Sequence, residues 1–344
     1  MDKINKKDQL KYYKFLNSFP KKLNKLYFSK LKGKFKLNNK SKKISGFDPV
    51  TNIDRSFEIY LRKEILKKFP NDGIIGEEFG EIKTKSGFTW ILDPIDGTRS
   101  FVIGSPTWSN LISVNYKKIP ILGLVNFPIL KKYYITGANH SSYLVENNKF
   151  KKLRVSKPIS FNNTKMAGSF FGWLPLKKQL KISKLVSLMR FPCSDALSYC
   201  QLCEGKLDAV VQCSNKIWDV HPMIPLTQNA GGLINTWTNK DPKLAGNIVA
   251  SSNIKIHKKI MAFNYWPVAE TLLSGERIRI HESEYRELKI NGIPGHIKSI
   301  KDKHIEVFTK DGLLIIKKLQ KDNARVIDAQ NFINSTDLKG KNFE

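Results

Sequence analysis

The stretch Ile91–Arg99, "ILDPIDGTR", ends an apolar run with two aspartates three positions apart and follows them with Gly-Thr. Pro94 restricts the backbone between Asp93 and Asp96, so the turn projects both carboxylates from the end of a strand. Gly97 allows a ligand to approach the main chain, and Thr98 stands where a following helix begins. A helix start offers unpaired N–H groups and a positive dipole end, which suit phosphate. Hard oxygen ligands beside a phosphate seat point to Mg2+. Around this turn the chain reads as a layered α/β protein.

Other carboxylates fall at similar corners. "FDPVTNID" offers Asp48 and Asp54, "GIIGEEFG" offers Glu77 and Glu78 after an apolar strand, and "KIWDVHP" places Asp219 at a helix start. Between them, Asn52 to Phe69 carries Phe57, Tyr60, Leu61, Ile65 and Phe69 at helical spacing and is stopped by "PNDG". "GFTWILD", "SNLISVNY", "IPILGLVNFPI" and "KKYYITGA" read as strands, "SDALSYCQLCEG" as a helix, "KLDAVVQ" as a strand and "DVHPMIPLTQNAGG" as one helix closed by a Gly pair. From about residue 260 the pattern becomes short alternating runs separated by "NGIPG" and "KDG". That spacing predicts a small β-barrel or sheet with a final helix near "DAQNFINS". The expected domains are therefore 1–259 and 260–344.

Composition sets further bounds. The 344 residues, 41% hydrophobic, suffice for sizeable cores, and no run approaches the roughly 18 to 20 apolar residues of a membrane span. The N-terminus has no apolar leader segment, which places the chain in the cytoplasm. Cys193, Cys200, Cys203 and Cys213 include one C-x-x-C but no second ligand pair for zinc, and read as buried thiols. The net charge of +29 comes from 50 Lys and only 9 Arg, and Met1 to Gly46 alone holds 15 Lys against 2 Asp. Such a bias reads as a solvated lysine-rich face rather than an anion-binding device.

The combination of D-x-V-T-x-x-D at Asp48 to Asp54, G-E-E at Gly76 to Glu78, D-P-I-D-G-T at Asp93 to Thr98 and W-D-V at Trp218 to Val220 resembles the inositol monophosphatase superfamily over roughly residues 10 to 258. The resemblance implies an α/β/α/β sandwich and an Mg2+-dependent phosphatase with two or three ions. By position, Glu77, Asp93 and the carbonyl of Ile95 would hold one metal, and Asp93, Asp96 and Asp219 a second. Asp48 with Glu77 would hold a third through waters. Gly97 and Thr98 would bind phosphate, and Thr98 with Glu77 or Asp48 would orient the attacking water. Two such cations can activate water and neutralise the leaving oxygen of an in-line displacement. The family also implies a small phosphorylated metabolite as substrate and a homodimer.

Within the superfamily the histidinol-phosphatase branch is the most similar, through "PNDGIIGEEFG", Arg99 and Phe101 after the core motif, and "CSDALSYCQLCEGKLDAVVQ". There Asp195 would face a cationic end of the substrate. Gln212 departs from the pattern, standing where a substrate-binding glutamate is usual. Histidinol phosphate is thus the favoured ester, ahead of inositol phosphate, fructose bisphosphate and a 3′-phosphoadenosine nucleotide. His221 reads as a packed or capping residue. Beyond residue 260, F-N-x-W-P at Phe263 to Pro267, "DGLLIIKKLQ" and "GKNFE" resemble the C-terminal domain of methionyl-tRNA formyltransferases, an OB-type open β-barrel. A reading as an RNA-binding protein follows, with Phe263 and Trp266 as stacking residues. Residues 261–344 carry 14 Lys and Arg against 12 Asp and Glu, and an excess of +2 is thin for that role.

Overall fold

The computed structural model describes residues 4–33, 35–39, 49–158, 160–169, 180, 183–262, 269–287, 292–301, 303–322 and 324–344. Asp48 and the segment from Phe263 to Pro267 lie outside the described residues. The chain divides into two compact units, Met1–Phe263 and Asn264–Glu344.

The lysine-rich N-terminus is more than a solvated face. It forms α1 (Lys6–Leu16), capped by the Asn5 side chain, and α2 (Phe19–Leu26), which continues into a π-helical turn (Tyr27–Leu31). Tyr12, Leu16, Phe19 and Leu23 are buried, and the lysines take the outward positions between them. Tyr12 stacks between Phe69 and Phe88, with centroids 4.4 and 4.1 Å away. Its hydroxyl donates to buried Asp72, which also accepts from Trp90 Nε1. The short strands β1 (Leu37–Asn39) and β2 (Pro49–Thr51) pair antiparallel and lead into α3 (Asn52–Lys68). A capping box fixes that helix start: Thr51 accepts from the Ile53 N–H, and Asp54 accepts from the Thr51 N–H and hydroxyl.

Next, β3 (Gly73–Gly76) runs parallel to β4 (Phe88–Asp96), and the five-residue α4 (Thr98–Val102) follows. Antiparallel β5 (Ser109–Tyr116), β6 (Ile119–Phe127), β7 (Lys132–Thr136), β8 (Ser142–Glu146) and β9 (Lys149–Lys152) complete a seven-stranded sheet ordered β3 to β9. A second sheet is ordered β10 (Met166–Ser169), β11 (Ala209–Asn215), β13 (Gly246–Ser251), β12 (Leu233–Thr236). Helices α5 (Ser183–Val186), α6 (Asp195–Cys203), α7 (Ile217–Val220), α8 (Met223–Asn229) and α9 (Ile254–Ala262) flank it. The segment expected as one helix is split between α7 and α8. His221 and Pro222 keep right-handed helical backbone, but Pro222 has no N–H to donate to the Trp218 carbonyl, so the hydrogen-bond ladder is interrupted there.

Period-2 alternation sets the layers. Ile112, Val114, Leu122 and Leu124 face α1 to α3, while Leu111, Val125 and Phe127 face α6 and α8. In β11 and β13, Val210 and Ile248 join that middle core, and Val211 and Val249 turn outward to Ile256 and Ile260 of α9. The result is the expected α/β/α/β sandwich with a further helical cover on the small sheet. Among the described residues no helix is long and apolar enough to cross a membrane.

The second unit contains β14 (Ala269–Leu273), β15 (Glu276–Glu287), β16 (Ile297–Lys301), β17 (His304–Phe308), β18 (Gly312–Lys321), β19 (Ile327–Asp328) and α10 (Ala329–Ser335). Its antiparallel sheet is ordered β14-β15-β18-β17-β16, with β19 on β18. Ile278, Ile305, Ile316, Leu319 and Phe332 form its core. Among the described residues β14 and β16 do not pair. Isolated bridges from Leu273 to Phe343 and from His296 to Asn342 link the two edges, so the domain is barrel-like but not closed by strand pairing.

Candidate active site

The turn that opens the analysis is a bulge. Asp93 pairs with Leu111 and Asp96 with Ser109, and the register between β4 and β5 slips across Pro94-Ile95. Pro94 and Ile95 stand opposite the single residue Asn110, and this one extra residue bends the strand and aims both carboxylates the same way. The bulge is held from behind: Asn110 Nδ2 donates to the Pro94 carbonyl at 2.6 Å, and Asn126 Nδ2 donates to Asn110 Oδ1 at 2.9 Å. In front, the Thr98 hydroxyl donates to the Ile95 carbonyl at 3.0 Å.

Around Asp93 the fold assembles carboxylates from distant parts of the chain. The parallel register of Gly76 with Leu92 sets Glu77 beside Asp93, and the Glu77 N–H donates to the Leu92 carbonyl. Asp219, in the first turn of α7, accepts the Lys216 N–H at 2.7 Å. Asp93, Asp96 and Asp219 each bring a carboxylate oxygen within 4.8 Å of the others. Asp96 Oδ2 accepts from the Ala196 N–H at 3.0 Å and the Ser109 hydroxyl at 3.3 Å.

Electrostatics shows what this arrangement lacks. Burial, reinforced by Glu77, Asp96 and Asp219, holds the Asp93 carboxyl well above the usual carboxylate range. Burial, then Asp195 and Asp219, does the same to Asp96. Asp219 is pushed up to about 6 by burial, with the Lys216 N–H opposing and Asp195 adding to the rise. Asp54 reaches about 6 through burial, with Glu78 adding and its bonds from Thr51 opposing. Asp93 Oδ1 is buried and has no hydrogen-bond partner among the described residues. An orphaned carboxylate oxygen facing further carboxylates fits a hard divalent cation.

The remaining expected residues distribute as follows. Gly97 has φ +75° and leads into α4. A Cβ on Gly97 would lie 2.8 Å from Asp195 Oδ2, so the Asp195 carboxylate rests against the glycine. Burial raises the Asp195 carboxyl, with the charge of exposed Arg99 opposing. Gln212 is buried, and its Nε2 donates to the Asp195 carbonyl at 3.4 Å and to Cys193 Sγ at 3.3 Å. Glu77, Asp93, Ile95, Asp96, Gly97, Thr98 and Asp219 thus cluster at one corner, with Asp195, Gln212 and Arg99 beside it. Asp48 lies outside the described residues. His221 is packed between Asn115 and the Lys243 carbonyl, and burial lowers its pKa. All four cysteines are free thiols.

Sequence spacing did not reveal Ser109 and the Ala196 N–H on Asp96, or the Asn110–Asn126 pair behind Pro94. Each is a common polar side chain or a main-chain N–H whose relevance comes from a neighbour 13 or more positions away in the chain. Gly97→Ala tests the left-handed turn. The backbone alone costs about 1–2 kcal/mol, read as a lower thermal midpoint, and the displaced Asp195 raises KM for a phosphate ester. An alanine variant with both unchanged would show that the close approach is unimportant.

Residues 8–264 match the inositol monophosphatase family and residues 250–337 the formyl transferase C-terminal domain. The histidinol-phosphatase of Mycobacterium tuberculosis is 30% identical over 217 residues, 62% of this chain and 83% of that protein. A fructose-1,6-bisphosphatase/inositol-1-monophosphatase of Aquifex aeolicus is 28% identical over 196 residues, 54% and 71% of the two chains. Among solved structures, an IMPase/NADP phosphatase complexed with Mg2+ and phosphate superposes with a TM-score of 0.64 at 16% identity, covering 75% of this chain and 97% of that one. The chain therefore belongs to the inositol monophosphatase family and is a phosphoric monoester hydrolase with an appended formyltransferase C-terminal-type domain.

Proposed function

We propose that this enzyme is an Mg2+-dependent phosphatase that prefers a cationic phosphate ester, histidinol phosphate. The observation that carries the preference is Asp195, whose carboxylate lies against Gly97 beside the acidic corner. The two relatives named above, at 30% and 28% identity, bear different substrate names, so overall similarity does not choose between them. An anionic side chain beside the phosphate seat does: it attracts an ammonium or imidazolium and offers less to a neutral polyol.

In this reading Glu77, Asp93 and the Ile95 carbonyl would hold one cation, Asp93, Asp96 and Asp219 a second, and Asp48 with Glu77 would hold a third through waters. The cations supply positive charge that acidifies water and neutralises the phosphoryl and leaving oxygens. The chain's own groups do the rest. The Gly97 and Thr98 N–H groups bind the phosphoryl oxygens. Thr98 donates its hydroxyl proton to the Ile95 carbonyl, which leaves its oxygen to accept from the attacking water, and Glu77 or Asp48 takes the water's proton. The P–O ester bond breaks as the water oxygen bonds to phosphorus, and the proton that Glu77 or Asp48 took from the water passes through solvent to the leaving oxygen, so the product is the alcohol. Gln212 steadies Asp195 through its main-chain carbonyl.

The catalytic domain of this reading spans 1–259, and the segment from 260 is an accessory. Its lysines and arginines support that role over RNA binding. Lys317 pairs with Glu284, Lys318 with Glu282, Lys321 with Glu276 and Arg279 with Asp322, so these cations are already neutralised. The free thiols support a reducing compartment, the cytoplasm.

The test is phosphate release across histidinol phosphate, inositol 1-phosphate, fructose 1,6-bisphosphate and 3′-phosphoadenosine 5′-phosphate, for the native enzyme and Asp195→Asn. A charge-assisted contact is worth about 1.5–3 kcal/mol, so kcat/KM for histidinol phosphate should fall roughly 10- to 100-fold in the variant, with little change for inositol 1-phosphate. An equal loss on both esters would remove Asp195 as the source of the preference.

A further inference from the structure

We infer that Glu58 and Arg62 are positioning residues that clamp the Gly76–Gly80 turn and thereby set the geometry of Glu77 for metal binding. The inference rests on the reading of Glu77 as a metal ligand.

The two side chains stand one turn apart on α3, and each grips the turn at a different main-chain atom. Glu58 is fully buried; its Oε2 accepts the Glu78 N–H at 2.8 Å and its Oε1 accepts Arg62 Nε at 2.8 Å. Arg62 then donates from Nη2 to the Phe79 carbonyl at 3.0 Å, and its guanidinium lies over the Phe79 ring at 5.8 Å. The N–H of Glu78 and the carbonyl of the next residue, Phe79, are therefore held by one ion pair. On the other side of Glu77 the clamp is steric: a Cβ on Gly76 would lie 2.0 Å from Glu58 Oε1, so the glycine admits the carboxylate against the strand end. The Glu77 N–H is pinned to Leu92, the residue before Asp93. Glu77 is thus fixed at its own main chain and at both neighbours, and its charge is the largest acting on Asp93.

A buried ion pair contributes little to stability once the desolvation of both charges is counted, which leaves its retention here to be explained by placement. Holding a carboxylate ligand at a set position before the ion arrives raises affinity, because less reorganisation is paid on binding. Arginine is required for the double grip. Its planar fork reaches Glu58 with one nitrogen and Phe79 with another, whereas lysine keeps the charge but has a single nitrogen.

The experiment is calorimetric titration of MgCl2 into the metal-free full chain, beside thermal melts with and without Mg2+. Arg62→Lys retains a cation for Glu58 and should fold; its Mg2+ Kd is expected to rise roughly tenfold, as for groups that support ligands from the second layer. Arg62→Met should show at least that rise with a lower melting point. Glu64→Gln, on the same helix as Arg62, breaks a half-buried ion pair to Lys22 of α2 and should leave the Mg2+ Kd unchanged. Glu77→Gln sets the scale and should weaken Mg2+ most. If Glu77→Gln weakens binding while Arg62→Lys matches the native protein, the clamp is wrong and the ligand reading survives. If Glu77→Gln leaves binding unchanged, the ligand reading falls and takes the clamp with it. A variant that only loses melting temperature, equally with and without Mg2+, would mark the pair as structural and overturn the proposal.

Discussion

Asp93→Asn is expected to reduce Mg2+-dependent phosphate release by more than about 100-fold, the upper end of what even ligand-supporting groups cost, while the protein stays folded. Asp93 is the carboxylate that every other acid at the corner faces: Glu77, Asp96 and Asp219 all raise its pKa on top of burial. Asn is isosteric but uncharged, so it removes the charge that both proposed cations share. The same change relieves like-charge repulsion in the metal-free protein, because the buried Oδ1 has no partner among the described residues and the new amide can donate to Asp96 or Asp219. The melting point without Mg2+ should hold or rise, and the increment from added Mg2+ should vanish. Normal turnover in this variant would sink the metal site at this corner; a collapsed melting point would show that Asp93 serves the fold instead.

Metal-free protein should lose stability as pH rises from about 4 through about 6 and beyond, and saturating Mg2+ should remove the share of that loss carried by Asp219, Asp93 and Asp96, leaving the share of Asp54 in the capping box. Asp219 and Asp54 are each pushed up to about 6 in the folded state, chiefly by burial. Between the unfolded value near ~4 and that folded value, the native state binds more protons than the unfolded one, so stability falls with increasing pH. For each of the two carboxyls the full change is roughly 3 kcal/mol, an upper figure for groups that can relax. Asp93 and Asp96, raised further by burial and by their acidic neighbours, extend the decline above that window. A bound cation favours the ionised forms and reverses the sign, so Mg2+ affinity should climb through the same range and activity should show an acid limb there. Thermal melts from pH 4 to 8 with EDTA and with Mg2+ give the two curves. Parallel curves would mean that these carboxylates do not share their titration with the metal.

The ends of the chain show where a sequence is a poor guide. In the first 26 residues the lysines dominate any count, yet Tyr12, Leu16, Phe19 and Leu23 are buried and Tyr12 is tied to Asp72. Helical spacing was present there, but the charge obscured it. The opposite happened at "DVHPMIPLTQNAGG", where continuous apolar periodicity hid a break that Pro222 imposes. In the C-terminal unit the strand runs were legible, whereas the bridges that join its edges involve residues as far apart as Leu273 and Phe343.

The sequence by itself determined the family, the strand that ends in Asp93, the turn at Gly97 and the helix from Asn52, because each depends on residues within a few positions of one another. Only the tertiary structure decided that Asp195 rests on Gly97, that Asp96 is held by Ser109 and the Ala196 N–H, and that Glu58 and Arg62 grip the turn beside Glu77. Those contacts join parts of the chain up to 100 positions apart, as between Asp96 and Ala196. Local rules of spacing and backbone geometry cannot anticipate them, since they are fixed by which strands pair, in which register, and by which helix the finished sheets bury against them.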